Sequence, residues 1–168
     1  MGGGRAADDP IGRWIARLCR LFAVLSGLVL ITMALMSFAS VVGRALFGRP
    51  ILGDYELVQM MSAIAVSLAL PYAHWAGAHV IVDFVTARAG PLLRLTLDSL
   101  AGLLMAIAAS VISLRIAVGM IDLRASQDAS MLLGLPTWWA YVPMMLSFGL
   151  LSLTALHLLI VRIRRRLS

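Results

Sequence analysis

Few side chains in this sequence can do chemistry, and their spacing limits what that chemistry is. Across 168 residues there are eight carboxylates, three histidines and one cysteine. Two of the histidines fall in "PYAHWAGAHVIVDF" (Pro71 to Phe84), together with Asp83. His79 and Asp83 are four residues apart, so a helix stacks them on one face, where they could share a proton or offer two metal ligands. A zinc site needs a third and fourth ligand, and the chain has few to give. His74 lies about 140° round from His79 on a continuous helix, which argues against joint ligation. The other pairing is His74 with His157. Each lies near one end of an apolar segment, roughly 26–28 Å along it, so the two could share a depth. Two facing histidines at one depth are what bis-histidine haem requires, and two interfacial histidines are the plainer alternative.

The remaining ionisable residues form two small groups. In "GRALFGRPILGDYELVQ", Arg44 and Glu56 are separated by a twelve-residue step, with Asp54 between them. A tight hairpin brings these charges to one interface, as an ion pair and a helix cap. Asp54 and Glu56 also suit the positive end of the helix they precede. Arg115 stands alone inside an apolar run. A basic side chain at a helix centre costs about 2.5–3.5 kcal/mol, so it either snorkels outward or pairs with a carboxylate. That carboxylate is Asp122, seven positions on, or one from the outer end of another helix. Cys19 can form no internal disulfide, and the sequence has no glycine-rich phosphate loop and no nucleophile elbow. Scattered serines such as Ser37, Ser62 and Ser110 suit helix packing. The expectation is a chain that is not an enzyme and holds no cofactor or metal.

What positions these residues is a membrane. The composition is 61% hydrophobic and only 13% charged, about half the charge of an average soluble domain. Four stretches meet the roughly 20-residue apolar length of a spanning helix. They are 21–45, 57–75, 95–121 and 138–161. Between them lie a hairpin at 46–56, a loop with an amphipathic segment at 76–94 and a second outer loop at 122–137. Span 1 reads as an uncleaved anchor, since its apolar run is longer than a signal core of roughly 7–15 residues. The start "MGGGRA" has Ala6 where a myristoylation signal needs Ser or Thr.

All 14 basic residues are arginines. They gather at the boundaries of the apolar runs, so the net charge of +6 points to a membrane surface and not to nucleic acid. The N-terminal flank, the middle loop and the tail 162–168 hold ten of them, and the other two loops hold Arg44, Arg49 and Arg124. By the positive-inside rule both termini and the middle loop face the cytoplasm. Asp9 and Pro10 can start a helix, and "IGRWIARLCRLF" interleaves apolar residues with Arg13, Arg17 and Arg20. This predicts a short amphipathic helix lying on the anionic inner leaflet before span 1. The fold class is therefore an all-α membrane protein with four transmembrane helices, N-in and C-in.

Three further motifs resemble one family. "VVGRALFGRPILGDYELVQ", "ALPYAHWAGAHVIVDFV" and "LGLPTWWAYVPMMLSFGLLSL" resemble the small membrane subunit, the DctQ-type Q component, of tripartite ATP-independent periplasmic (TRAP) transporters. The likeness runs from about Leu21 to Val161. It includes a "GR" end to span 1, an acidic residue opening span 2, a "GxHxxVD"-like stretch after span 2 and an "LPxWxxYxP"-like entry, with Pro136, to span 4. It departs at one place: many members have a Trp and paired acidic residues before span 2, where this chain has Gly53, Asp54, Tyr55 and Glu56. The resemblance implies an accessory scaffold in the bacterial inner membrane. Its partners would be a large multi-span subunit that carries the substrate and a periplasmic binding protein that delivers it. The substrate would be an organic acid, such as a C4-dicarboxylate or a sialic acid, and the driving force a Na⁺ gradient. Arg44, Asp54, Glu56, His79, Asp83, Arg115 and Pro136 are the candidate interface or motif residues. Two rivals are a haem- or quinone-binding anchor of an electron-transfer complex and a self-sufficient small exporter. The exporter needs a membrane-embedded acid, and spans 1, 2 and 4 have none.

Overall fold

The computed structural model describes residues 10–77 and 91–167, without the side chains of 91–95, 98, 162 and 165–167. The described residues form four helices: α1 Pro10–Phe47, α2 Asp54–Ala76, α3 Pro91–Ala125 and α4 Trp138–Leu167. All four contain stretches long and apolar enough to cross a membrane. Helix is what a greasy chain must adopt there, because lipid offers no partner to a free backbone N–H or C=O. The irregular part outside the helices includes one isolated antiparallel bridge, Ala129 to Pro136.

α1 differs from the sequence expectation. The stretch Ile11 to Arg20 is not a separate helix turning along the membrane. It is the first part of one continuous 38-residue helix, about 57 Å long. No proline interrupts it after Pro10, which sits at the first position where its missing N–H is harmless. The amphipathic pattern instead serves protein packing. Gly12, Ala16 and Cys19 are buried. Ala16 and Cys19 join Trp75 and Leu150 in a core cluster flanked by Ile15, Phe22, Leu158 and Val161.

The helices pack in the order α1–α2–α4–α3, with a lighter contact between α1 and α4. α2 and α4 are thus central, and α1 and α3 form the flanks. Apolar burial does not drive helices together inside lipid, so close packing and hydroxyl hydrogen bonds must do so. Each neighbouring pair has such a stitch. Ser26 Oγ donates to Ala65 O across α1 and α2 at 2.7 Å. Across α3 and α4, Ser110 and Ser152 hydroxyls bond at 2.7 Å, and Ser113 Oγ donates to Met145 O at 3.0 Å.

The α2–α4 stitch has a specific cause. Pro71 lies inside α2 and has no N–H, so the carbonyl four residues back, Ser67 O, loses its intrahelical donor. Ser147 Oγ of α4 donates to that carbonyl. α2 ends at Gly77, whose φ of 75° is left-handed and whose N–H closes on His74 O at 3.1 Å. That is the termination its sequence position predicts.

Candidate functional site

Most of the described candidate residues lie at one end of the bundle, where the 46–56 hairpin meets the 126–137 loop. Arg44 pairs with Asp54 at 3.8 Å, and not with Glu56. Asp54 is the better held of the two. It accepts from Ser40 Oγ and, at 2.7 Å, from Tyr55 N–H. Ser40 Oγ in turn accepts from Ile51 N–H at 3.3 Å, which ties the hairpin to α1. The arginine side chain is 66% exposed, so the pair adds little to stability. The helix cap is also not acidic: Gly53 holds that position with φ 73° and no side-chain cap bond.

Glu56 works between loops. Its carboxylate accepts the Leu132 N–H, at 3.1 Å and 3.3 Å from its two oxygens. Beside it, Leu133 packs on Gly53 so closely that a Cβ on Gly53 would fall 2.5 Å from Leu133 Cγ. The second loop is rigid in itself. Ser130 N–H bonds Leu135 O at 2.9 Å, and Thr137 N–H bonds Asp128 O at 3.2 Å. Pro136 closes this loop: it forms the bridge to Ala129, and its carbonyl accepts Trp139 N–H at 3.2 Å at the start of α4. Arg124 lies over Trp138, 5.3 Å from the ring centroid, and Trp138 meets Trp139 edge to face. Such aromatics with a cation mark a membrane–water interface.

Arg115 is exposed on the outer surface of α3. Among the described residues no carboxylate lies within 4.0 Å of it, Asp122 included. His79 and Asp83 lie outside the described residues. At the other end of the bundle, the α2 side chain stacked on His157 is Trp75, the neighbour of His74. The ring centroids are 6.3 Å apart and the planes 15° from parallel. His157 Nε2 is sealed from solvent and has no hydrogen-bond partner. The ring that faces His157 across α2 and α4 is thus an indole and not a second imidazole. Among the described residues no three His, Cys, Asp or Glu side chains come together as a metal site.

Sequence reasoning assigned Ser110 to helix packing, where it bonds Ser152, but did not single out the buried hydroxyls. Among the described residues Ser26, Ser40, Ser67, Ser147 and Thr154 are the buried polar ones, and each has a hydrogen bond within the chain. Thr154 also meets Cys19 Sγ at 3.5 Å, across α1 and α4. The readable signal was Pro71: a proline inside a span announces an orphan carbonyl four residues earlier.

A bundle of four helices long and apolar enough to span a membrane, its buried hydroxyls bonded mostly to backbone carbonyls, defines a multi-pass membrane protein. The family model for the DctQ component of tripartite ATP-independent periplasmic transporters matches residues 33–165. The chain belongs to that family and is a small membrane subunit of a TRAP transporter, in the inner membrane. No curated protein and no solved structure matches it.

Proposed function

We propose that this chain is the accessory scaffold of a transporter that imports organic acids, such as C4-dicarboxylates, with a Na⁺ gradient. It holds the static part of a large multi-span subunit in the bilayer and does not carry the substrate. A periplasmic binding protein delivers the substrate to the assembled pair. Both termini and the segment between α2 and α3 face the cytoplasm, in keeping with the ten-to-three arginine bias. We also propose His79 and Asp83, which lie outside the described residues, as a structural polar pair at the cytoplasmic exit of span 2.

One observation carries the scaffold reading. The buried hydroxyls are all taken up in hydrogen bonds within the chain, and spans 1, 2 and 4 hold no charged residue at mid-depth. A carrier of anions and cations needs polar groups turned toward a pathway. The test is reconstitution in liposomes under an inward Na⁺ gradient. This chain alone is expected to give no flux of a dicarboxylate. Flux is expected only with the large subunit and the binding protein present. Uptake by this chain alone, or a gentle pull-down that recovers no large multi-span partner, would refute the proposal.

A further inference from the structure

We infer that the exposed face of α3 around Arg115 docks the large multi-span subunit, through a transmembrane helix that presents a carboxylate to the guanidinium. The inference rests on the proposed heteromer and names its contact face. Both flanking helices expose wide apolar surfaces, and the two are not alike. On α1, Val24, Leu28, Ile31 and Leu35 are exposed, and no ionisable residue lies between Arg20 and Arg44. That face suits lipid tails. On α3, Leu104, Val111 and Val118 are exposed, with Arg115 on the same side of the helix at i+4 from Val111 and i−3 from Val118.

Depth follows from the packing on α4. Ser113 bonds Met145 O, and Gly119 abuts Tyr141, its would-be Cβ 3.5 Å from the ring. Arg115 is therefore level with residues 141–145 of α4, inward of the Trp138–Trp139 belt. The helical rise puts it roughly 6–9 Å inside that belt. A guanidinium there is costly in lipid unless it is paired.

Two routes of relief within the chain fail. Asp122 is two turns toward the helix C-terminus and does not reach Arg115. Helical side chains leave the backbone toward the N-terminus, so a reach from Arg115 to Asp122 or to the nearer interface runs against that direction. The outer carboxylates Asp54 and Glu56 are committed to Ser40 and Arg44 and to Leu132, and Asp128 does not come within 4.0 Å of Arg115. The complement is a membrane-embedded acid from another polypeptide.

The test co-expresses this chain with the large subunit of its own transporter. A photo-crosslinking residue is placed at Val111 or Val118 on α3, or at Leu28 or Leu35 on α1. Crosslinks to the large subunit are expected from α3 and lipid adducts alone from α1. Arg115→Glu and Arg115→Gln should lower recovery of the large subunit by ~10-fold or more, equivalent to about 1.4 kcal/mol. Arg115→Lys should retain most of it, and the melting of the isolated chain should not change. Crosslinks from α1 only, from α3 to lipid only, or from α3 to a second copy of this chain would overturn the inference. So would unchanged recovery of the Glu and Gln variants. If wild-type chain recovers the large subunit while α3 stays silent, the inference alone fails. If wild type recovers nothing, the heteromer reading fails first.

Discussion

Ser147→Ala should cost more than an ordinary serine truncation, because Pro71 leaves its acceptor with no other donor. Ser147 is 0% exposed and Ser67 3%, so water cannot replace the lost hydroxyl at Ser67 O. A buried acceptor left unpaired costs about 1–3 kcal/mol in soluble proteins. Double-mutant cycles for hydrogen bonds between membrane helices average about 0.6 kcal/mol and reach about 1.7. Here the unfolded span cannot recover the bond internally, since position 71 has no N–H. The cost should therefore lie near the top of that range, about 1.5 kcal/mol. Pro71→Ala changes the reference. Residue 71 then carries an N–H that can close on Ser67 O within α2. In that background Ser147→Ala should cost about 0.5 kcal/mol, which leaves a coupling of about 1 kcal/mol. The assay is reversible unfolding in bicelles for wild type, both single variants and the double variant. Additivity within about 0.3–0.5 kcal/mol would show that the proline does not create the need for Ser147, and the reasoning would be wrong.

Gly53→Ala should destabilise by about 1–2 kcal/mol from the left-handed backbone alone, and more from the contact with Leu133. Adding Leu133→Ala should recover the second part and leave the first. Glu56→Ala should free the Leu132 amide, and its hydrogen exchange should speed up by roughly tenfold or more while amides in the middle of α4 stay protected. Ser40→Ala should lower the melting temperature more than Arg44→Ala does, since Ser40 bonds both Asp54 and Ile51 while Arg44 reaches out into solvent. The reverse order would mean that the ion pair, and not the hydroxyl, holds the hairpin.

The helices were legible because lipid leaves a chain few choices. Apolar length, bounded by Arg20, Arg44, Gly77 and Trp138, was enough to place four spans. The charged hairpin was legible as a place but not as a wiring diagram. Arg44 lies in the last turn of α1 and Asp54 and Glu56 in the first turn of α2, and only packing decides which carboxylate meets the arginine. Glu56 turned to Leu132, 76 positions away, and no local pattern announces that. The extension of α1 was missed for a different reason. A stripe of Ile11, Ile15 and Leu18 among arginines looks the same whether its partner is a membrane surface or another helix. Ala16, Cys19 and Gly12 were the sign of the latter, since small residues let helices approach closely. The serine stitches were hidden because a hydroxyl on a helix face has no period of its own.

The order α1–α2–α4–α3 has a consequence for how the chain is assembled. α1 meets α2 and α3 meets α4, each through a hairpin of its own, and α3 makes no substantial contact with either α1 or α2. The molecule is two antiparallel pairs joined by a seam. That seam includes Ser147 on Ser67, Trp75 on His157, Cys19 on Thr154, Glu56 on Leu132, Leu133 on Gly53 and the cluster of Ala16, Cys19, Trp75 and Leu150. Each pair can therefore enter the bilayer as a unit while the ribosome is still making the other. The late event is closure of the seam, which makes a few hydrogen bonds, one ring stack and the apolar contacts around Trp75 and Leu150. Two gene fragments split between α2 and α3 would carry the same information as the whole.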